Sequence, residues 1–95
     1  MGFVRSYLMI AKEGDIQALE SALRALAAKV APQDGCSGVE LYQDADKPER
    51  FTFLERWESV EAQKTGGKAV GKEAFAPIMA ALAAPPEAAS LTPLV

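Results

Sequence analysis

The stretch that most constrains the fold of this chain is the segment 51–58, in which aromatic and polar side chains alternate. Strand residues point alternately to the two sides of a sheet, so this alternation predicts a β-strand with two different faces. One face carries two phenylalanines, a carboxylate and the only tryptophan of the chain: Phe51, Phe53, Glu55 and Trp57. If a chain of this size has a binding pocket, we expect this aromatic face to form its wall.

Three further segments are predicted to be strands. The apolar run around Val39 and Leu41 follows a turn rich in glycine and is predicted to be a strand. The polar stretch 44–50 separates this strand from the segment 51–58, so the two strands are predicted to form a β-hairpin. Residues 3–10 read as a first strand with two mostly apolar faces, one carrying Val4, Leu8 and Ile10 and the other Phe3, Tyr7 and Met9. Residues 88–94, after Pro85-Pro86, read as a last strand.

Helical spacing of apolar residues predicts a first helix from residue 16 to about 31, with Asp15 as its N-cap. Pro32 is expected to end this helix, because it disfavours helical geometry at Ala31. Ser59 is expected to cap a short helix from Val60 to about Thr65.

The Gly66-Gly67 pair is then expected to stop that helix, and a third helix is predicted over about 73–84, with regular structure starting no earlier than Ala74 because of Pro77. Its apolar spacing predicts that four side chains face inward: Phe75, Ile78, Met79 and Leu82.

The element order β-α-β-β-α-β predicts a single α+β domain over residues 1–95, ferredoxin-like, with an antiparallel four-stranded sheet and helices on one face. No element remains to cover the other face, yet Leu8 and Leu54 place apolar groups there. An exposed apolar sheet face marks an interaction surface, and a two-fold homodimer with packed sheets is the simplest way to bury it.

Composition excludes several classes of protein. A net charge of −3 argues against nucleic-acid binding, and no apolar run approaches the roughly 20 residues of a membrane span. One cysteine cannot form an internal disulfide, which favours a cytoplasmic location. The absence of histidine removes the commonest metal ligand, and the glycine run 66–72 ends at Glu73 rather than at the Ser or Thr of a phosphate-binding loop. We therefore expect no metal and no nucleotide-bearing cofactor.

The order and spacing of several segments resemble the antibiotic biosynthesis monooxygenase superfamily of dimeric α+β barrels. The matching segments are Lys12-Glu13-Gly14, the run 35–42, the run 51–59 and Pro85-Pro86. The resemblance implies a cofactor-independent monooxygenase that acts on a small aromatic, polyketide-like or quinol substrate.

The residues that carry the family's activity match only in part. The family's pocket tryptophan corresponds to Trp57, but Phe53 stands where the oxygenases have an amide side chain and Gln63 where they have a tyrosine. A haem-degrading branch places a histidine near Met79 and an asparagine near Tyr7, so haem degradation is not expected here.

We predict Trp57 and Glu55 as the catalytic residues, Glu55 as a base whose pKa burial would raise. Six residues are predicted to bind the substrate: Tyr7, Tyr42, Phe53, Gln63, Phe75 and Met79. The simpler interpretations remain open, namely that the aromatics form only the core and that Glu55 makes a salt bridge. The alternatives to an oxygenase are a non-catalytic ligand-binding or stress-response protein, or an isomerase or cyclase on the same fold.

Overall fold

The computed structural model describes residues 2–95 and shows an antiparallel four-stranded sheet. The strands are β1 Phe3–Ile10, β2 Cys36–Gln43, β3 Arg50–Trp57 and β4 Glu87–Leu91, and they lie side by side in the order β2-β3-β1-β4. The helices are α1 Ile16–Val30, α2 Val60–Val70 and α3 Ala76–Ala81, with a 3-10 helix over Lys72–Phe75 before α3. The predicted ferredoxin-like α+β fold is confirmed.

The two faces of β3 separate as its alternation predicts. Phe51, Phe53 and Trp57 are almost completely buried beneath the helices, together with Leu19 and Leu23 of α1. The opposite face carries no helix, so Val4, Leu8 and Leu54 remain half-buried and Ile10 and Leu91 are exposed. Among residues 2–95, no helix is long and apolar enough to cross a membrane.

Helix α1 differs from the prediction at both of its termini. The side chain of Asp15 makes no capping hydrogen bond, although this residue occupies the N-cap position. Ala31 keeps helical dihedrals (φ −54°, ψ −39°) despite the following Pro32, because its N–H still donates to the Ala27 carbonyl at 3.0 Å. Proline disfavours but does not forbid helical geometry in the preceding residue, and here one backbone bond retains it.

Helix α2 is longer than predicted. The Ser59 hydroxyl accepts a hydrogen bond from the Ala62 N–H at 3.0 Å, which confirms the predicted cap. The predicted stop at Gly66-Gly67 is wrong, because the helix continues to Val70 and ends at Gly71, whose φ of 84° favours glycine. A glycine costs a helix only about 1 kcal/mol relative to alanine, which the cap and tertiary packing can offset.

The predicted continuous third helix is also wrong. Regular helix begins at Ala76, consistent with Pro77 in the first turn, but it ends at Ala81. Beyond that point the backbone turns to β1, where Leu82 bridges Ala11 and the Ala83 N–H donates to the Ile10 carbonyl at 2.8 Å. Strand β4 ends at Leu91 rather than at residue 94, before Pro93, which has no N–H to donate.

Candidate functional site

An apolar cavity of about 70 Å³ lies between the helix-covered side of the sheet and the C-terminal helical segment. Its wall includes two predicted sheet residues and two predicted helix residues: Tyr7, Phe53, Phe75 and Met79. The rings of Tyr7 and Phe53 pack with their centroids 6.3 Å apart and their planes tilted by 58°. The structure therefore brings four of the predicted substrate-binding residues together in one place.

The rim of this cavity is open. Phe75 and Met79 were predicted to face inward, yet they are 37% and 56% exposed. Phe75 ends the 3-10 helix before α3, and α3 is only six residues long and buries Ile78 and Ala81 instead of Met79. An apolar cavity that binds benzene has a volume of about 150 Å³, which is larger than this one. Entry of an aromatic ring therefore requires Phe75 and Met79 to move outward, which their exposure allows.

Glu55 and Trp57 form a buried polar pair on the same face of β3 as Phe53, outside the lining of the cavity. The Trp57 indole N–H donates to Glu55 Oε1 at 2.8 Å, and both side chains are at most 5% exposed. Burial raises the pKa of the Glu55 carboxyl, while the indole hydrogen bond and the positive charge of Arg5 lower it by less. Neither side chain lines the cavity, so a ligand seated there would meet Phe53 first.

Helix α2 packs directly against the Trp57 ring. A Cβ atom placed on Gly66 would lie 2.5 Å from Cη2 and 2.9 Å from Cζ3 of that ring. No real Cβ approaches an aromatic carbon so closely, and only glycine lets the helix pack at this distance. The glycine that sequence reasoning took for a helix stop is thus a packing site for Trp57.

A charged group in contact with Tyr7 escaped the sequence analysis. Arg5 of β1 pairs with Glu55 of β3 and with Ser90 of β4, which places it on the helix side of the sheet. Its Nε donates to the Tyr7 hydroxyl at 3.3 Å and a terminal nitrogen donates to Ser90 Oγ at 2.9 Å. Burial raises the pKa of the Tyr7 hydroxyl, and the Arg5 hydrogen bond lowers it by less. The sequence could have indicated this contact, because Arg5 and Tyr7 are two residues apart in β1 and therefore lie on the same face of the strand.

Two predicted substrate-binding residues do not reach the cavity. Tyr42 pairs with Thr52, so it lies on the uncovered face, where it is 54% exposed and its hydroxyl donates to Glu40. Gln63 is half-buried on α2 and does not line the cavity. Tyr42 was misplaced because the sequence analysis did not establish its register with β3.

Two other kinds of site have less support in the structure. A larger open groove of about 340 Å³ follows α1 and β2, but it is bordered by the exposed Glu20–Arg24 ion pair and contains neither Trp57 nor Glu55. Within residues 2–95, no three His, Cys, Asp or Glu side chains lie close enough together to hold a metal ion. The Tyr7–Phe53 cavity therefore remains the candidate site.

The family model and the similar solved structures point to the same family. The family model described as Antibiotic biosynthesis monooxygenase matches residues 1–65. Rv0793 from Mycobacterium tuberculosis is similar in structure, with a TM-score of 0.88, 23% identity and coverage of 100% of this chain and 97% of that chain. PA3566 from Pseudomonas aeruginosa has a TM-score of 0.88 and 24% identity, with coverage of 99% and 95%.

The similar structures include one whose activity is part of its name. SnoaB, a cofactor-independent oxygenase from Streptomyces nogalater, has a TM-score of 0.87 and 17% identity, with coverage of 99% of this chain and 94% of that chain. A search of curated proteins finds no match. Identities this low establish the shared fold alone, whereas the family model spans more than half of the sequence. The chain belongs to the antibiotic biosynthesis monooxygenase family.

Proposed function

We propose that the protein is a monooxygenase that acts, without metal or flavin, on a small planar aromatic substrate such as a quinol or a polyketide-like phenol. The observation that carries this proposal is the aromatic cavity of Tyr7, Phe53 and Phe75, whose wall is apolar. Such a site is suited to a flat, largely apolar ring. The family and the named activity of SnoaB support the same reaction class.

The proposed chemistry needs little from the protein beyond binding, orientation and exclusion of water. A deprotonated phenol can transfer an electron to O₂, and the resulting radicals combine at a ring carbon to form a peroxide. Cleavage of the O–O bond then leaves one oxygen atom on the substrate as a carbonyl and releases the other as water. All four electrons that reduce O₂ come from the substrate, so the reaction balances without a cofactor.

Glu55 and Trp57 are proposed to act together in this reaction. Glu55 would be the acceptor of the substrate proton, since a carboxyl whose pKa is raised by burial is a better base than an exposed one. Trp57 would hold that carboxylate through its indole N–H. Because neither side chain lines the cavity, proton transfer to Glu55 requires a side-chain movement or one bridging water.

A second candidate is ligand binding without turnover. It is favoured by Phe53 and Gln63, which occupy the positions expected from the resemblance to carry an amide and a tyrosine. Gln63 also lies outside the cavity. The same cavity would then bind the aromatic molecule without activating it.

We further propose that the protein acts as a homodimer through the uncovered sheet face. This face carries Val4, Leu8, Leu54 and Leu91, which remain half-buried or exposed. The Arg56–Glu40 ion pair lies on the same face, with a shortest N–O distance of 2.7 Å. Packing two copies together would bury the apolar side chains, and the cavities on the helix sides would remain accessible.

Oxygen consumption with a panel of quinols and polyphenols tests the function. Met79→Trp should obstruct the rim and lower kcat/KM, whereas Ala80→Trp, on the exposed side of the same helix, is the matched control. Activity should survive EDTA and dialysis. Turnover abolished by EDTA and restored by a metal would refute the cofactor-independent reaction. Binding of the aromatic probes without oxygen consumption would favour the second candidate.

A further inference from the structure

A second concave surface, here called the lysine groove, is formed by α2 and the segment that follows it. Its volume is about 480 Å³, and its lining residues are Lys64, Gly67, Lys68, Gly71, Lys72 and Phe75. Residues three and four apart lie on the same face of a helix, so α2 presents Lys64, Gly67 and Lys68 to one side. The groove shares only Phe75 with the Tyr7–Phe53 cavity.

The three lysines of the groove are exposed and have no acidic partner. Both ion pairs within residues 2–95 involve arginine, so none of the three ammonium groups is ion-paired. Glu61 and Glu73 are close to these lysines in the sequence, but neither lines the groove. Three positive charges are thus gathered in one place on a chain whose net charge is −3. Such a local potential attracts an anion.

Gly67 gives the groove an open backbone surface. A Cβ on Gly67 would meet no atom of residues 2–95 within 4 Å, whereas a Cβ on Gly66 would collide with Trp57. Packing within this part of the chain therefore does not require a glycine at position 67, although glycine costs a helix about 1 kcal/mol relative to alanine. The missing side chain lets a ligand approach the backbone of α2 closely. Phe75, which is 37% exposed, adds an aromatic ring to the same lining.

We propose that the lysine groove is a binding site for a small aromatic anion, such as an aromatic carboxylate or sulfonate. The ring packs against Phe75 and over Gly67, and the lysine ammonium groups bind the acidic group. The volume of the groove lies within the range of about 300–1,000 Å³ that is typical of small-molecule sites. The site is separate from the proposed oxygenase site and does not depend on turnover.

A small anion suits this groove better than a large polyanion does. The lining contains three cations, while the chain as a whole carries a net charge of −3. A nucleic acid or an anionic membrane extends beyond the groove and meets the negative charge of the remaining surface, which opposes binding. A molecule that fits within the groove interacts mainly with the lysines and with Phe75.

Two fluorescent dyes with the same ring system test the proposal. The anion is 8-anilinonaphthalene-1-sulfonate, and its neutral counterpart is N-phenyl-1-naphthylamine, which lacks the sulfonate. The emission of both dyes rises in an apolar site, so titration of the full chain gives a dissociation constant for each. We expect the wild type to bind the sulfonate more tightly than the neutral dye. Raising the salt concentration should reduce this preference, because salt screens exposed charges.

Four variants separate charge from shape. Lys64→Gln and Lys68→Gln should each weaken binding of the sulfonate about two- to fivefold, which is the contribution of an exposed ion pair, and should leave the neutral dye unaffected. Gly67→Leu fills the groove and should weaken binding of both dyes about tenfold or more. Lys29→Gln removes an exposed lysine of α1 and should change neither. Thermal unfolding of each variant establishes that it is folded at the assay temperature.

The competing explanation is that the dye enters the Tyr7–Phe53 cavity. Met79 lines that cavity and does not line the lysine groove, so Met79→Trp should leave sulfonate binding unchanged. Loss of binding in Met79→Trp together with normal binding in Gly67→Leu would overturn the proposal. Equal effects of Lys29→Gln and Lys68→Gln would do the same.

Membrane binding is tested separately by sedimentation with phosphatidylglycerol vesicles. Vesicle binding that requires Lys64 and Lys68, in a protein that binds no free sulfonate dye, would also overturn the proposal. Oxygen consumption is measured independently of the dyes. A protein that binds the sulfonate in the groove but consumes no oxygen would retain this site and lose the proposed function.

Discussion

Replacement of the two neighbouring glycines of α2 by alanine should have opposite effects on stability. Gly67→Ala places a Cβ with no atom within 4 Å, so it should stabilise the helix by about 0.5–1 kcal/mol. Gly66→Ala has the same helix-propensity gain, but its Cβ would lie 2.5 Å from the Trp57 ring. Overpacking of this kind costs about 1–3 kcal/mol, because a buried ring and a helix must separate.

The difference between the two variants isolates the Trp57 contact, since the helix-propensity gain is common to both. We expect a difference of about 2 kcal/mol, which corresponds to about 8–16 °C in Tm for a chain of this size. Differential scanning calorimetry at equal protein concentration measures it, and the emission maximum of the single Trp57 should shift to the red in Gly66→Ala alone. Equal increases in Tm for both variants would show that α2 does not pack against Trp57 as described.

Three further changes have defined outcomes. Ser59→Ala removes the hydroxyl that accepts from Ala62 N–H and should lower the free energy of unfolding by about 1 kcal/mol in urea titrations, whereas an unchanged midpoint would deny the cap a role. Burial raises the pKa of the Glu55 carboxyl in the folded state, so folding favours the protonated carboxyl. The free energy of unfolding of the wild type should therefore fall as the pH rises from below the pKa of an ordinary glutamate through the raised pKa of Glu55. Glu55→Gln should therefore gain stability relative to wild type at neutral pH and not in acid, and a constant difference across the pH series would contradict the shift. Leu54→Arg should convert the proposed homodimer into monomer or aggregate in light scattering, with Arg24→Gln as a surface control, and a wild-type monomer at micromolar concentration would refute the dimer.

Local sequence patterns were sufficient for the fold class. The period-two alternation of residues 51–58 assigns Trp57 and Glu55 to the same face, because strand side chains alternate wherever the strand lies. Ser59 was recognisable as a cap because its hydrogen bond joins residues three apart. Both inferences depend on neighbours along the chain.

The errors concern contacts between segments distant in sequence. A glycine in this position can either end a helix or allow close packing of the helix, and only the position of Trp57 against α2 shows that Gly66 does the second. Tyr42 was placed in the site because its register with β3 cannot be derived from β2 alone. The third helix was overextended because residues 82–83 bind to the end of β1 instead.

The sequence by itself determined the order of the elements, the aromatic face of β3 and the presence of apolar groups on both faces of the sheet. The tertiary structure decided which side chains meet at the cavity, because that depends on strand register and on where short helices begin and end. It joined Arg5 to Tyr7 and to Ser90, which is 85 residues away in the chain. No local periodicity encodes a contact across that separation, since it arises only when β4 pairs with β1.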